Sequence, residues 1–227
     1  MTPKTSSSPE DALQYDRLVP LVVPQWEAFY GTVAAFVPPG AEKVLELGSG
    51  TGVLSSFIRR VRPSVSLTCI EQDPGAIAIA REKPELAGTA WIEGDIRRAW
   101  PGGPYDAVVS TQCMFQFLPD ERKEIARKAG NVLTDGGRFL NGDLFHPGTG
   151  WEWDLLIEAW LRFMQSSGLT EQESRGMIGP LESMIQGYTI EAWSAVLISV
   201  GFARVTIPYR SGLYAVVAGS RNSVIEG

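Results

Sequence analysis

The sequence predicts an α/β fold built as a doubly wound, mostly parallel sheet with helices on both faces. Short strand-like segments alternate with helical patterns from residue 43 to residue 143, and such alternation is typical of right-handed strand-helix-strand units. A glycine-rich turn directly follows the first of these strands, at the edge where open α/β sheets bind ligands. The 227 residues are 44% hydrophobic and 20% charged, which is typical of one globular domain with a sizeable core.

The N-terminal region is predicted to form a flexible tail over residues 1–10 and a helical lid over residues 11–38. The tail is rich in Ser, Pro and Thr, a composition that favours disorder. From Trp26 onward, large apolar residues recur at three- and four-residue steps, which marks one face of a helix that Pro38 is expected to end. The residues of this face are Trp26, Phe29, Tyr30, Val33 and Phe36.

The central part of the chain is predicted to supply five strands and three helices. The strand segments are short and bounded by turn residues, and the helices between them show apolar residues at helical spacing. The predicted strands cover residues 43–47, 66–71, 89–94, 105–110 and 136–143. The predicted helices cover residues 55–61, 74–81 and 120–133.

The C-terminal part is predicted to contain a helical cap over residues 151–188, inserted over the sheet before the last two strands. The first of its two helical patterns places Trp160 on an apolar face, and the second begins with Thr170 and Glu173 at capping-box spacing. A further helix over residues 190–200 is followed by two strand segments, 203–209 and 213–219, which are close enough to form a hairpin. Residues 11–227 are therefore interpreted as a single domain.

Composition and charge disfavour several classes of function. The formal net charge of -6 provides no general attraction for a nucleic-acid backbone, so no nucleic-acid partner is expected. Cys69, Cys113 and the single His146 are too far apart in sequence to form a recognisable metal site, and the thiols are expected to be free. No segment is apolar and long enough to span a bilayer or to act as a signal peptide, which predicts a cytoplasmic protein without membrane contact.

The glycine-rich turn reads Gly48-Ser49-Gly50-Thr51-Gly52 and connects the first strand to a helix. Without Cβ atoms, the backbone amides and the positive end of the helix are open to a ligand. The spacing differs from that of a dinucleotide fingerprint, and the turn lacks the lysine of a phosphate-binding loop and the Gly-x-Ser-x-Gly of a hydrolase. The alternative interpretation is that the glycines only make a tight turn.

Acidic residues follow the next two strands at positions that suit a nucleoside. Glu71 ends the second strand, where a carboxylate can accept hydrogen bonds from both hydroxyls of a ribose. Asp95 and Ile96 follow the third strand, where a carboxylate and a backbone N–H can bind an adenine amino group and ring nitrogen. The fourth strand, residues 105–110, ends at the same sheet edge.

With these four features in order, residues 11 to 220 resemble the class I S-adenosylmethionine (SAM) dependent methyltransferases. The matching segments are ELGSGTG (46–52), Glu71, Asp95-Ile96 and YDAVVS (105–110). The resemblance implies SAM as the cofactor and a seven-stranded sheet whose last strand is antiparallel. The segment QYDRLVP (14–20) resembles the N-terminal lid of small-molecule and carboxy-SAM-type members, in which the tyrosine closes over the cofactor.

The resemblance also assigns residues to the cofactor. Glu46 and the backbone around Gly48 and Gly50 are expected to hold the methionine portion, and the loop from Ser110 to Met114 is expected to flank it. The full predicted cofactor set is Tyr15, Glu46, Gly48, Ser49, Gly50, Gly52, Glu71, Gln72, Asp95, Ile96, Ser110, Thr111 and Gln112. No metal is expected.

Methyl transfer needs alignment and exclusion of water more than it needs a dedicated base. The candidates for proton transfer or positioning are Tyr15, Asn141, Asp143, His146 and Tyr188, with Tyr30 as a further lid residue. His146 precedes Pro147 and is alternatively a surface loop residue, and Asp143 is alternatively a helix cap.

The acceptor pocket is hypothesised to be aromatic. Phe115-Gln116-Phe117 follows the fourth strand at a place where many related chains carry histidines, which weakens the case for base-assisted transfer. Trp26, Trp151, Trp153 and Trp160 are interpreted either as core residues or as faces that stabilise a sulfonium cation.

The sequence therefore predicts a SAM-dependent methyltransferase that acts on a small molecule, in secondary metabolism. One alternative is a SAM cyclase that forms azetidine-2-carboxylate and methylthioadenosine by attack of the cofactor's own amino group. Another is a SAM-binding regulatory protein without catalytic activity. The acceptor is left open, as is the oligomeric state, for which a homodimer is one option.

Overall fold

A computed structural model describes residues 9–221, with side chains described from residue 15 onward. The first helix begins at Pro9, so residues 9 and 10 of the predicted tail are helical and this part of the prediction is wrong. Residues 1–8 of the predicted tail and residues 222–227 of the predicted domain lie outside the described residues.

The seven strands form a single sheet, which confirms the predicted fold class. They are β1 (Lys43–Leu47), β2 (Ser66–Glu71), β3 (Ala90–Glu93), β4 (Tyr105–Thr111), β5 (Leu133–Leu144), β6 (Arg204–Ser211) and β7 (Tyr214–Ser220). Their order is β3-β2-β1-β4-β5-β7-β6, and β7 runs antiparallel to both of its neighbours. The direction of the chain crossovers reverses between β1 and β4, which places a ligand crevice at their carboxyl ends.

Nine α-helices connect and cover the strands within the described part of the chain. They are α1 (Pro9–Val22), α2 (Trp26–Phe36), α3 (Val53–Val61), α4 (Pro74–Arg81), α5 (Pro119–Val132), α6 (Gly150–Ser166), α7 (Glu171–Ile178), α8 (Leu181–Ile185) and α9 (Ile190–Ser199). None of these helices is long and apolar enough to cross a membrane. The predicted cap contains three helices rather than two, because Gly179 and Pro180 separate α7 from α8.

Several helix starts follow from local side-chain chemistry. Asp73 caps α4 by accepting a hydrogen bond from the Gly75 N–H at 2.8 Å, and Pro74 occupies the first turn. The predicted capping box of Thr170 and Glu173 is present at the start of α7. These polar contacts fix where the connecting loops end.

Strand β5 starts three residues earlier than predicted. Leu133 pairs with Tyr105 of β4, whereas the next pair joins Ala107 to Arg138, so β5 carries extra residues between the two pairs. Gly136 is one of these extra residues and has a φ of 75°, a conformation that favours glycine. The glycines therefore form a bulge inside the strand instead of starting it.

The lid helix α2 packs on the sheet through aromatic side chains. Phe29 is fully buried and its ring lies edge-on to Tyr30, Tyr209 and Tyr214 at 5.1, 5.9 and 5.4 Å between centroids. Trp26 lies edge-on to Phe57 of α3. The lid helix α2 is thus held against the face of the sheet by the hydrophobic core.

Candidate functional site

A cavity of about 320 Å³ lies at the carboxyl ends of the central strands, between the glycine-rich turn and the lid helices. Ten of the predicted cofactor residues line it: Tyr15, Gly48, Ser49, Gly50, Glu71, Gln72, Asp95, Ile96, Thr111 and Gln112. Residues from the predicted set that do not line it are Glu46, Gly52 and Ser110. The topology thus brings together groups as far apart in the chain as Tyr15 and Gln112, which are separated by 97 positions.

The three glycines of the turn adopt positive φ angles and serve different purposes. A Cβ atom on Gly48 would overlap the Cys113 Sγ, and one on Gly52 would approach Leu86 Cδ1 to 2.6 Å. A Cβ atom on Gly50 would meet nothing within 4 Å, although its φ of 52° still favours glycine. Gly48 and Gly52 therefore allow neighbouring side chains to pack closely against the turn, while Gly50 leaves the backbone open to the cavity.

Glu71 braces the loops around the cavity. Its Oε2 accepts a hydrogen bond from the Gly50 N–H at 2.8 Å, and its Oε1 accepts from Gln72 and Asp73 at 2.8 and 2.9 Å. The carboxylate therefore ties the loop after β1 to the loop after β2, and it also faces the cavity.

Asp95 also lines the cavity and has a charged partner. Its carboxylate accepts hydrogen bonds from the Arg97 side chain, with Nη2 to Oδ2 at 2.5 Å, and Arg97 also pairs with Glu121 at 2.9 Å. Hydrogen bonding to Arg97 lowers the pKa of Asp95, so it is ionised at neutral pH. The neighbouring Gly94 and Ile96 also line the cavity.

Glu46 and Ser110 lie behind the cavity wall. Glu46 is 1% exposed and accepts a hydrogen bond from the Ser55 hydroxyl at 2.5 Å. Burial raises the pKa of Glu46 to about 8, so that its neutral form is favoured. The Ser110 hydroxyl donates to the Leu47 carbonyl at 3.1 Å and joins the ends of β1 and β4. The structure thus places both side chains where they support the floor of the cavity.

Two tyrosines and a glutamine meet beneath the lid. Gln112 Nε2 donates to the Tyr30 hydroxyl at 2.5 Å and lies 3.4 Å from the Tyr15 hydroxyl. Gln112 has a φ of 51°, a conformation that few residues other than glycine adopt, and its N–H bonds to the Gly142 carbonyl at 2.8 Å. Burial raises the pKa of Tyr15 to about 12 and that of Tyr30 well above its usual value, so both hydroxyls stay protonated.

The lid helix α1 is fastened to the cavity by Asp16. The Asp16 carboxylate accepts a hydrogen bond from the Thr51 hydroxyl in the glycine-rich turn and forms an ion pair with Lys83 at 2.6 Å. The side chains of Asp16 and Lys83 are partly buried, with exposed fractions of 27% and 22% respectively. Asp16 therefore links the lid to two loops at once.

The other candidates for proton transfer lie away from the cavity. Asn141, Asp143 and Tyr188 are buried together, with the Asn141 amide 2.8 Å and the Asp143 carboxylate 3.2 Å from the Tyr188 hydroxyl. His146 stacks on Trp153 at 5.1 Å between ring centroids, and its Nδ1 accepts from the Gly148 N–H at 3.0 Å. None of these four side chains lines the cavity.

The tryptophans serve packing rather than the cavity. The Trp160 indole donates to the Val22 carbonyl at 2.6 Å and lies edge-on to Tyr214, and Trp151 is 66% exposed. The aromatic residues that do line the cavity are Tyr15, Tyr30 and Phe117. Other lining residues absent from the predicted set are Val53, Leu54, Asp73, Gly94, Cys113 and Gln116.

The cavity has an acidic character. Glu71, Asp73 and Asp95 line it, and none of the described lining residues is Lys, Arg or His. An excess of carboxylates favours a ligand that carries positive charge. The described residues contain no group of three or more His, Cys, Asp or Glu that could hold a metal ion, and both cysteines are buried free thiols.

Comparisons with known proteins agree with this geometry. A family model described as a methyltransferase domain matches residues 44–137. Malonyl-acyl-carrier-protein O-methyltransferase from Anoxybacillus flavithermus is 30% identical over 120 residues, which cover 53% of this chain and 44% of that protein. Carboxy-S-adenosyl-L-methionine synthase from Pseudomonas putida is 28% identical over 187 residues, which cover 77% of this chain and 74% of that protein. The chain thus spans less than half of the first relative and about three quarters of the second.

A solved structure shares the fold over nearly its full length. SAM-bound amino pentose methyltransferase from Micromonospora echinaspora superimposes with a TM-score of 0.64, and the match covers 92% of this chain and 97% of that one. The two sequences are 16% identical, so this likeness concerns the fold.

Replacing Glu46 with Gln should remove a pH dependence of stability. The pKa of Glu46 is raised from 4.5 to about 8, so its stabilising effect is complete below pH 4.5 and is lost as the pH rises through 8. Urea denaturation at pH 5, 7 and 9 should show the wild type losing stability relative to Glu46→Gln, by up to about 1.4 kcal/mol per pH unit. Asp143, whose pKa is also raised, is present in both proteins and cancels in the difference. If the free energy of unfolding changed equally with pH in the wild type and in Glu46→Gln, the raised pKa of Glu46 would be contradicted.

Replacing Asp16 with Ala should loosen the lid. Loss of the contacts to Thr51 and Lys83 is expected to speed hydrogen exchange of α1 amides over residues 15–22 by roughly three- to tenfold. Glu158→Ala is the matched control, because it breaks the exposed ion pair with Arg162 on α6. Equal exchange in α1 for both variants would mean that packing alone holds the lid.

Proposed function

We propose that this chain is a class I SAM-dependent methyltransferase that transfers a methyl group from SAM to a small-molecule acceptor. The observation that carries the proposal is the acidic cavity at the ends of β1 and β4, which exposes the backbone around Gly50. SAM bears a net positive charge through its sulfonium and ammonium groups, so a cavity lined by carboxylates without a cation suits it.

The chain offers separate groups for each part of the cofactor. Asp95 and Ile96 are proposed to bind the adenine, and Glu71 the ribose hydroxyls, because each lies on the cavity at the end of its strand. The amides around Gly48 and Gly50 are proposed to hold the methionine portion. In this arrangement the sulfonium is proposed to lie on the side of the cavity where Gln112 meets Tyr15 and Tyr30.

The acceptor end of the cavity has no group suited to remove a proton. Tyr15 and Tyr30 stay protonated at neutral pH, and Gln112 does not titrate. The acceptor is therefore proposed to be a nucleophile with a free lone pair at neutral pH, such as an imidazole or aromatic-amine nitrogen or a thiol. Alignment and exclusion of water by the lid then supply the catalysis.

Carboxylate-bearing substrates fit the cavity less well. A malonyl group and carboxy-SAM each bring a carboxylate in addition to the one that SAM itself carries, whereas the charged residues described in the cavity lining, Glu71, Asp73 and Asp95, are all acidic. Like charges at close range in a partly desolvated site are unfavourable. The proposed activity therefore differs from those named for the two relatives.

Intramolecular cyclisation of SAM is the second candidate. The cavity volume of about 320 Å³ is near the lower end of the roughly 300–1,000 Å³ typical of ligand sites, which leaves little space beside the cofactor. In this reaction the deprotonated α-amino nitrogen bonds to the γ-carbon, the carbon–sulfur bond breaks, and methylthioadenosine leaves with the bonding electron pair. Secondary metabolism, a cytoplasmic location and a homodimer stay predictions.

Product analysis by mass spectrometry tests the proposal. The protein is incubated with SAM alone and with SAM plus a panel of aromatic amines, imidazoles and thiols. S-adenosylhomocysteine together with a methylated compound would support methyl transfer, whereas methylthioadenosine formed from SAM alone would support the cyclase. SAM that binds but stays intact with every member of the panel would argue against the proposed acceptor classes and favour a SAM-binding regulator.

Replacing Glu71 with Ala should weaken SAM binding by about 1–3 kcal/mol, because charge-assisted hydrogen bonds to the ribose and to the Gly50 amide are lost. Isothermal titration calorimetry measures the change. Glu93→Ala is the matched control, because Glu93 pairs with Glu71 across β2 and β3 but is exposed and outside the cavity lining. Unchanged affinity in Glu71→Ala would mean that the ribose is bound elsewhere.

A further inference from the structure

Residues 113–117, here called the wall segment, form one side of the cavity. Cys113, Gln116 and Phe117 line the cavity, and residues 114–116 form a single 3-10 turn. So short a turn satisfies few of its own backbone hydrogen bonds and depends on outside partners to hold its shape.

Asp143 supplies a partner for the amide at the centre of the wall segment. The Phe115 N–H donates to Asp143 Oδ2 at 2.9 Å, and the Leu144 N–H donates to Oδ1 at 3.0 Å. Asp143 is fully buried, and it does not line the cavity. Its carboxylate therefore acts on the backbone of the wall segment from behind.

Tyr188 fixes the orientation of that carboxylate. Its hydroxyl accepts from the Asn141 amide at 2.8 Å and donates to Asp143 Oδ2 at 3.2 Å. Since the Asn141 Nδ2 is a donor, the hydroxyl proton is directed to Asp143. The hydrogen bonds thus run in one direction from Asn141 through Tyr188 to Asp143.

Arg122 holds the carbonyl side of the same segment. Its Nε donates to the Phe117 carbonyl at 2.7 Å, and its Nη2 lies 3.4 Å from the Phe115 carbonyl. The guanidinium stacks on the Tyr188 ring with its carbon 4.0 Å from the ring centroid. The N–H and carbonyl of Phe115 and the carbonyl of Phe117 therefore contact a buried cluster. Its members are Arg122 of α5, Asp143 of β5 and Tyr188 of the loop before α9.

We propose that Asp143, Tyr188 and Arg122 are positioning residues that set the shape of the cavity wall without touching the ligand. The cluster is a costly arrangement, because it buries a carboxylate and a guanidinium that are not directly paired, and the backbone contacts to the wall segment offset this cost. The proposal rests on the proposed function only where a SAM-derived ligand is used to report the shape of the wall.

Hydrogen exchange and ligand binding in Asp143 variants test the proposal. In Asp143→Ala, exchange of the amides in residues 113–117 should rise about tenfold and the affinity for S-adenosylhomocysteine should fall. In Asp143→Asn, the side-chain oxygen can still accept from Phe115 while the NH2 group cannot replace the oxygen that accepts from Leu144, so part of the protection and affinity should return. Tyr188→Phe keeps the ring beneath Arg122 and is expected to show a smaller rise in exchange, which serves as the second variant if Asp143→Ala fails to fold.

Thr189→Ala is the control for a general loss of stability. It removes the α9 cap formed by the Thr189 hydroxyl and the Ala192 N–H, and it leaves every contact to the wall segment in place. It should lower the melting temperature without changing exchange in residues 113–117.

Two results would overturn the proposal. In the first, the amides of residues 113–117 exchange equally slowly in Asp143→Ala and in the wild type. In the second, they lose protection to the same extent in Asp143→Ala, Asp143→Asn and Thr189→Ala. A wild type that binds no S-adenosylhomocysteine but shows the expected exchange pattern would leave the positioning role supported and contradict the proposed function.

Discussion

The carboxylate of Glu71 controls the geometry on which the rest of the site depends. It accepts hydrogen bonds from amides in the loops after β1 and β2, and both loops line the cavity. Asp16 adds a third attachment, from the lid helix to the glycine-rich turn and to Lys83. Because Glu71 and Asp16 both bond to the glycine-rich turn, the turn is fastened to the protein while the backbone at Gly50 stays open to the cavity.

The parts of the fold that could be predicted from the sequence are those with a local signal. Alternating strands and helices, the glycine spacing and the capping box of Thr170 and Glu173 each depend on residues close together in the chain. The early start of β5 could not be predicted in this way, because Leu133 pairs with Tyr105 of another strand across a bulge. The Gly179-Pro180 break in the cap was a local signal, however, and it could have indicated the third helix.

In the candidate site, too, some residues could be predicted from the sequence and others depended on the tertiary fold. Position at the end of a strand correctly indicated Glu71, Asp95 and Gln112 as cavity residues. It also indicated Asn141 and Asp143, but these two side chains are buried behind the wall segment. The error arises because the position of a residue in a strand does not tell where its side chain points. Their partner Tyr188 is more than 40 residues away in the sequence, so the contact depends on the tertiary fold.

The distribution of charge explains why polar residues at this sheet edge need not be catalytic. A carboxylate that faces the cavity acts on the charge of a ligand, as proposed for Asp95, whereas one that is fully enclosed, such as Asp143, is stabilised only by what it bonds to inside the protein. For Asp143 those bonds go to backbone amides and to Tyr188, and burial raises its pKa to about 7. A methyl donor that already carries a reactive positive charge does not require a strong base. In such a site, buried acidic groups are useful mainly for holding the wall against which donor and acceptor must align.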